Sequence, residues 1–158
     1  MYLKTFILTL GLLGLLGATA TAQASCVDDK ITVTGAFGRA VFTVDVADDN
    51  QERAQGLMNV PDMALLSGML FVYDAPQRAT FWMRNTLIGL DMLFAAPDGM
   101  ILKIHPNAIP HDETVIDGGD RVQYVLEINA GLAARLGIDA GDSLHHPAIL
   151  SGTDKSCE

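Results

Sequence analysis

Charged and polar side chains interrupt the apolar segment between residues 80 and 94, TFWMRNTLIGLDMLF. Arg84, Asn85 and Asp91 lie there among large apolar residues. A charge that folding would bury needs a partner, because unpaired burial is costly. A guanidinium at Arg84 can hold an anionic group with two hydrogen bonds, and a carboxylate at Asp91 can act as a general base. This segment is therefore the first place to look for a site.

Other predicted elements contribute further polar residues to the candidate set. A short predicted helix carries Arg53, a predicted strand carries Glu127, and Trp82 stands two residues before Arg84. We expect a polar pocket where the segment from residue 80 to 91 meets Glu127 and a long predicted loop, residues 106 to 119. The candidate ligand-binding residues are Arg53, Trp82, Arg84, Asn85, Asp91 and Glu127.

A structural interpretation competes with this functional one. The same side chains can form a network of ion pairs and caps, in which Asn129 caps a helix. In either case we predict that Asp91 is paired with Arg84 or Arg53. We expect Trp82 to be a core or pocket-wall residue, with a stacking platform for a ligand as the alternative.

Common enzymatic signatures are missing from the sequence. We find no G-x-S-x-G, H-E-x-x-H, phosphate loop or G-x-G-x-x-G motif. An enzyme hypothesis therefore depends on Asp91 or Glu127 as the base of a hydrolase or lyase, with no catalytic residue assigned. A copper or zinc protein is a third hypothesis, because the chain has four histidines and seven methionines. The methionines form no M-x-x-M or M-x-M cluster, so we assign no metal ligands and expect no cofactor.

The N-terminal residues have the pattern of a secretory signal peptide. Lys4 precedes an apolar run, and A-x-A patterns follow up to Ala24. We predict cleavage after Ala24, leaving one domain of residues 25 to 158 with a core of about 38 to 150 in the periplasm or outside the cell. An uncleaved anchor is one alternative. Lipidation at Cys26 is another, although Gln23 stands where a lipobox has an aliphatic residue.

The two cysteines, Cys26 and Cys157, lie at opposite ends of the mature chain. An even count in an exported protein favours a disulfide, which would join the two termini. A thiol pair that meets a metal and two intermolecular bridges are the alternatives.

Charge limits the classes of partner. The mature chain carries nine basic and 19 acidic residues, a net charge of −10. Such a chain repels phosphate backbones and anionic membrane surfaces, so we expect no nucleic acid partner and no stable membrane association after signal cleavage. We expect a monomer whose partner is a small anionic ligand or a peptide.

Strand patterns dominate the mature chain. Residues 39 to 47 alternate between apolar and polar, and residues 48 to 50 offer an N-cap to a helix over residues 51 to 58. Further helices are predicted over 62 to 67 and 130 to 136. Pro97, Asp98 and Gly99 between two apolar runs are typical of a hairpin turn. The pattern predicts a small, mostly β, α+β domain with a curled, barrel-like sheet of about seven strands and two or three short helices.

Several ordered motifs resemble one family. They are ERAQGLM (52–58), GMLFVY (68–73), FWMRNTLIGLDMLF (81–94), DGMI (98–101), YVLEINAG (124–131) and LGIDAGD (136–142). Together they resemble the prokaryotic domain-of-unknown-function family 192 from about Val41 to Leu150. The family more often has Lys where this chain has Arg84, which keeps the charge but changes its geometry. The resemblance implies a small, β-rich, often exported domain and no particular activity.

These observations favour one functional hypothesis over two others. The leading one is an exported binding or accessory module for a small ligand or peptide, with a polar pocket around Arg84, Asn85 and Asp91. The enzyme and the metal protein are the alternatives.

Overall fold

The computed structural model describes residues 29 to 149. They form seven strands: β1 (Lys30–Gly35), β2 (Gly38–Ala47), β3 (Ser67–Phe81), β4 (Leu90–Ala95), β5 (Ile101–Ala108), β6 (Ile116–Asn129) and β7 (Ser143–His145). Two short helices, α1 (Asn50–Gln55) and α2 (Leu132–Leu136), lie between strands. The predicted fold class, a small and mostly β domain with a curled seven-stranded sheet, is confirmed. No helix in this part of the chain is long and apolar enough to cross a membrane.

The seven strands form one sheet in the order β5-β4-β6-β3-β2-β1-β7. All neighbours are antiparallel except β2 and β3, which run parallel. A parallel pair needs a crossover connection, and α1 with the segment that follows it provides this connection. The sheet curls so far that its two outer strands approach each other. A backbone bridge joins Met100, just before β5, to Ser143 of β7.

Each face of the sheet packs against its own core. Side chains alternate along a strand, so neighbouring residues belong to different cores. The first core lies between the sheet and α2 and includes Phe42, Leu70, Leu93 and Leu126. The second core includes Phe71, Met92, Phe94 and Val125, and is covered by the segments that follow α1 and β3.

The helix α1 begins one residue earlier than predicted, and its N-cap lies within the predicted group. The carboxylate of Asp49 accepts hydrogen bonds from the backbone N–H groups of Gln51 and Glu52, both at 2.8 Å. Such a cap satisfies two of the donors that a helix start leaves unpaired.

The predicted hairpin turn is also present. Gly99 has a φ of 84° and donates to the carbonyl of Ala96, while Asp98 accepts from the N–H of Met100.

Several predicted boundaries are wrong. Residues 62 to 66 are not helical. Residues 69 to 73 and 80 to 84, predicted as two strands, belong to the single strand β3, which ends at Phe81. The predicted loop from 106 to 119 is shorter, because β5 continues to Ala108 and β6 begins at Ile116. The sequence patterns also gave no indication of β1. The number of strands is still seven, because two predicted strands are joined in β3 and β1 is added. Cys26, Cys157 and the predicted signal peptide lie outside the described residues.

Candidate functional site

Asp91 is completely buried and binds backbone groups. It lies on β4, and its side chain is in the first core, beside α2. One carboxylate oxygen, Oδ1, accepts from the N–H of Asn107 at 2.8 Å and of Gly131 at 2.9 Å. The other oxygen, Oδ2, accepts from the N–H of Ala133 at 2.9 Å. This carboxylate therefore does the work of an N-cap for α2, although it comes from a different element.

The predicted ion pair of Asp91 with Arg84 or Arg53 is wrong. Among residues 29 to 149, ion pairs join only Lys30 to Asp29 and Arg78 to Asp117 and Asp120. Three N–H donors can stabilise a buried carboxylate as a cation would, because they also present positive partial charge. Asp91 is thus held by backbone donors at both of its oxygens.

The predicted cap of α2 by Asn129 is also wrong. Its side-chain amide instead donates to the carbonyl of Ala64 at 2.9 Å, and more weakly to those of Met63 and Leu65. Asn129 thus holds the segment before β3 against the end of β6.

Glu127 faces the opposite side of the sheet from Asp91. It lies on β6, where its register partners are Met69 of β3 and Met92 of β4. Asp91 is the partner of Ile128, so the side chains of Asp91 and Glu127 point to different faces. The expected pocket around both carboxylates therefore does not form.

A cleft of about 210 Å³ opens on the Glu127 side of the sheet. We call it the Glu127 cleft. Its walls come from α1 and the residues that follow it, from β3, and from the segment after β3. The lining residues are Arg53, Ala54, Gln55, Gly56, Leu57, Met58, Phe71, Tyr73, Thr80, Phe81, Trp82, Thr86 and Glu127. Of the six predicted residues, Arg53, Trp82 and Glu127 thus share one cavity.

The carboxyl group of Glu127 has an unusual environment. Only 4% of the residue is exposed. Among the described residues it makes neither a hydrogen bond nor an ion pair. Burial alone raises the pKa of Glu127 to about 8, because the charged form has lost water and gained no partner. The group is therefore mostly a neutral acid at pH 7. Perturbed carboxyl groups in clefts are concentrated at functional sites.

Arg53 fixes one wall of the cleft. Its Nη1 donates to the backbone carbonyls of Asp48 and Val72, at 2.5 and 2.7 Å, and its Nη2 donates to Oδ1 of Asn50 at 2.8 Å. The guanidinium also lies over the ring of Tyr73, 5.3 Å from its centroid. These contacts bind α1 to β3, so the charge of Arg53 is used largely for structure.

Tyr73 presents a second buried polar group to the cleft. Its pKa is raised mainly by burial, with a further increase from the charge of Glu127 and an opposing effect of Arg53. Sequence reasoning missed Tyr73 because it ends a continuous apolar run and looks like a core residue. A hydroxyl-bearing aromatic residue at the end of a buried strand is the signal that could have found it.

Trp82 and Arg84 form the rim of the cleft. Trp82 is 45% exposed and lines the cleft, so it is a pocket-wall residue and not a core residue. The guanidinium of Arg84 lies 5.4 Å from the centroid of the indole ring, and Arg84 itself is exposed. Arg84 makes no ion pair within residues 29 to 149. Asn85 is exposed, has a φ of 56°, and accepts through its carbonyl from the N–H of Asn59.

The loop after β5 supports this rim without lining the cleft. The N–H of Met83 donates to the carbonyl of Asp112, and the N–H of His111 donates to that of Thr86. None of the residues that line the cleft belongs to this loop. The predicted role of the loop as a wall of the pocket is therefore wrong.

The described residues offer no metal site, and a second groove in the surface has only exposed carboxylates. Within residues 29 to 149, no three His, Cys, Asp or Glu side chains are grouped so that they could hold a metal ion. A wider, shallower groove lies on the other side of α1 and is lined by Asp45, Gln51, Glu52 and Met69, among others. Its carboxylates are exposed, unlike that of Glu127.

Two of the solved structures that are similar to this chain share 42% of its sequence. One is described as a candidate transcription regulator from Sinorhizobium meliloti 1021, with 42% identity and a TM-score of 0.75; the match covers 80% of this chain and 99% of that one. The other is a protein of unknown function from Novosphingobium aromaticivorans DSM 12444, with 42% identity and a TM-score of 0.73 over 82% and 99% of the two chains. No curated protein matches. The sequence profile of domain-of-unknown-function family 192, described as an uncharacterized ACR, matches residues 31 to 146. The chain belongs to this family.

Proposed function

We propose that this protein is an exported binding module that holds a small ligand in the Glu127 cleft. The observation that carries the proposal is the carboxyl group of Glu127, which is buried, unpartnered among the described residues, and directed into an open cavity. Folding gains nothing from such a group, since an apolar residue would fill the space at lower cost. A ligand that bonds to the group would explain its presence.

The rim of the cleft favours a ligand that carries an anionic group. Arg84 is exposed, and its stacking on Trp82 limits its motion beside the opening. A guanidinium in this position can grip a carboxylate or phosphate with two hydrogen bonds. The binding residues that we propose are therefore Arg53, Tyr73, Trp82, Arg84 and Glu127, with Asn85 at the edge.

An enzyme that uses Glu127 as its acid or base is the second candidate. A carboxyl group with a pKa of about 8 can exchange a proton near neutral pH, as general acid–base catalysis requires. Asp91 is not a candidate for this role, because its oxygens are engaged by backbone donors. The binding module stays the first proposal, because no nucleophile or second acid accompanies Glu127 in the cleft.

Neither a nucleic acid nor a metal is part of the proposal. The net charge, −9 for the full sequence and −10 for the mature chain, opposes binding to phosphate backbones. A similar protein is described as a candidate transcription regulator, but that description does not alter the charge of this chain. We expect the mature protein to act as a monomer.

A thermal-shift screen of metabolites and peptides tests the proposal. A ligand that binds only the folded protein raises Tm, by an amount set by its concentration relative to Kd. We expect hits that lose their shift in Trp82→Ala and, if they are anionic, in Arg84→Gln. Arg135→Gln is the matched control, because Arg135 is an exposed arginine on α2, away from the cleft. Hits that keep their full shift in both cleft variants would show that the ligand binds elsewhere.

A further inference from the structure

Among residues 29 to 149, no ion pair reaches the carboxyl group of Glu127 at the floor of the cleft. Of the charged and titratable groups that face it, Arg53 comes from α1 and Tyr73 from β3, while β4 presents the apolar side chain of Met92 opposite Glu127. Arg84 stays at the rim, over Trp82. The guanidinium of Arg53 donates to two carbonyls and to Asn50, so it is already occupied. Within the described part of the chain, no cation therefore forms an ion pair with a carboxylate at Glu127.

The walls of the cleft suit a cation. Four aromatic rings line it, those of Phe71, Tyr73, Phe81 and Trp82. Ring faces attract positive charge, as the guanidinium groups of Arg53 and Arg84 over Tyr73 and Trp82 already show. Its volume is about 210 Å³. An amine on a short alkyl chain fits this space, while a macromolecule can insert only one side chain.

We infer that the floor of the cleft binds a primary amine in its ammonium form, which forms an ion pair with the carboxylate of Glu127. The inference rests on the proposed function and names its ligand class. Because Arg84 can hold an anionic group at the rim, the ligand that fits both ends is a zwitterion with an amine at one end and an acid at the other. Small amino acids whose amine and acid are separated by a short alkyl chain belong to this class.

Binding of an ammonium group must release a proton. In the empty cleft Glu127 is a neutral acid below about pH 8. The carboxyl group gives its proton to water as the ammonium group arrives, and the carboxylate and the ammonium group then form the pair. Affinity should therefore rise about tenfold per pH unit from pH 6 to pH 8, and level off above this. An acid ligand that accepts a hydrogen bond from neutral Glu127 should show the opposite trend.

Four probes of equal chain length separate these cases in an NMR titration of the mature protein: 5-aminopentanoate, pentylamine, pentanoate and pentanol. We expect 5-aminopentanoate to bind best, pentylamine to bind more weakly with the same rise in affinity from pH 6 to pH 8, and the other two to bind at least tenfold more weakly than pentylamine. If pentanoate binds as well as 5-aminopentanoate and loses affinity as the pH rises, the amine inference is overturned while the cleft stays a binding site. If none of the four binds, the inference is also overturned, and the metabolite screen alone decides the proposed function.

Glu127→Gln is the decisive variant. It keeps the shape and the neutral charge of the protonated acid, so it should fold. We expect it to reduce the affinity for pentylamine at pH 8 at least tenfold and to remove the pH dependence. Glu52→Gln is the matched control, because Glu52 is an exposed glutamate on α1 outside the cleft. Should the variant fail to fold, the parent protein gives a second test: saturating pentylamine must lower the pKa of Glu127 in a carboxyl NMR titration, and an unchanged pKa overturns the inference.

Discussion

Asp91 and Glu127 lie on neighbouring strands, offset by one position in register, and their side chains enter opposite sides of the sheet. Both carboxyl groups are buried, but they are stabilised in different ways. Three backbone N–H groups surround Asp91, whereas Glu127 has a cleft in front of it. One acid thus holds the fold together, and the other is free to meet a ligand.

Replacing Asp91 should weaken the fold without touching the cleft. In Asp91→Asn an amide NH₂ meets backbone donors that previously met a carboxylate oxygen, so at least one buried N–H loses its acceptor. We expect a loss of about 2–4 kcal/mol in the free energy of unfolding. Urea denaturation measures it. Asp120→Asn is the control, because the side chain of Asp120 is 77% exposed, and it should change stability by less than about 0.5 kcal/mol. An unchanged urea midpoint for Asp91→Asn would contradict this account.

Glu127→Gln should stabilise the protein, and more so as the pH rises. The pKa of this carboxyl group is about 8 in the folded chain, and 4.5, the ordinary value of a glutamate, in the unfolded chain. The folded state therefore binds one more proton than the unfolded state between these values. Stability from this group is fully present below pH 4.5 and is lost as the pH rises to about 8.

Between these two pKa values the parent protein loses about 1.4 kcal/mol of unfolding free energy per pH unit, which amounts to several kcal/mol at most. We expect the parent and Glu127→Gln to be closest in stability near pH 4 and to diverge up to about pH 8, where the variant is more stable. Urea denaturation of both proteins at several pH values isolates this group from the other carboxylates. A difference that does not vary with pH would mean that Glu127 is ionised in the folded protein.

Arg53→Lys should loosen the contact between α1 and β3. A lysine cannot reproduce the planar fork that donates at once to Asp48, Val72 and Asn50. We expect a loss of about 1–3 kcal/mol in stability and faster hydrogen exchange in α1. Arg135→Lys serves as control, since Arg135 is exposed and lies in the last turn of α2. Equal effects of the two substitutions would show that the fork of Arg53 contributes nothing.

The mature protein should begin at Ser25 and contain a disulfide between Cys26 and Cys157. The signal-peptide pattern and the positions of the two cysteines motivate this prediction. Intact-mass measurement of the exported protein, alkylated with and without prior reduction, tests both parts. We expect a monomer that takes up two alkyl groups only after reduction. Two freely alkylated thiols in the unreduced monomer would exclude the disulfide, and a retained N terminus would exclude cleavage.

Local patterns in the sequence were enough to predict much of the fold. The alternation in residues 39 to 47 predicted β2, and Asp49 and the turn at Asp98 act on groups two or three residues away. Contacts of this range can be inferred from spacing alone. The helix predicted over residues 62 to 67 failed because Asn129, more than 60 residues later, binds the carbonyls of this segment.

The candidate site could be predicted only in part for the same reason. The residue types identified Arg53, Trp82 and Glu127, which line one cleft, but could not show that Asp91 faces the other core. A buried carboxylate in a sequence indicates that some partner exists. Its donors here come from Asn107, Gly131 and Ala133, between 16 and 42 residues away, and they belong to the backbone, which leaves no trace in residue type.

The meeting of the two outer strands has a consequence for self-association. Open sheets expose rows of unpaired backbone groups that can recruit a second chain and start an aggregate. Here the N–H of Ile101 donates to Asp142, and the N–H of Leu144 donates to Gly99, so β5 and β7 shield each other where they meet. Fewer sites therefore remain at which a partly folded neighbour could add a strand.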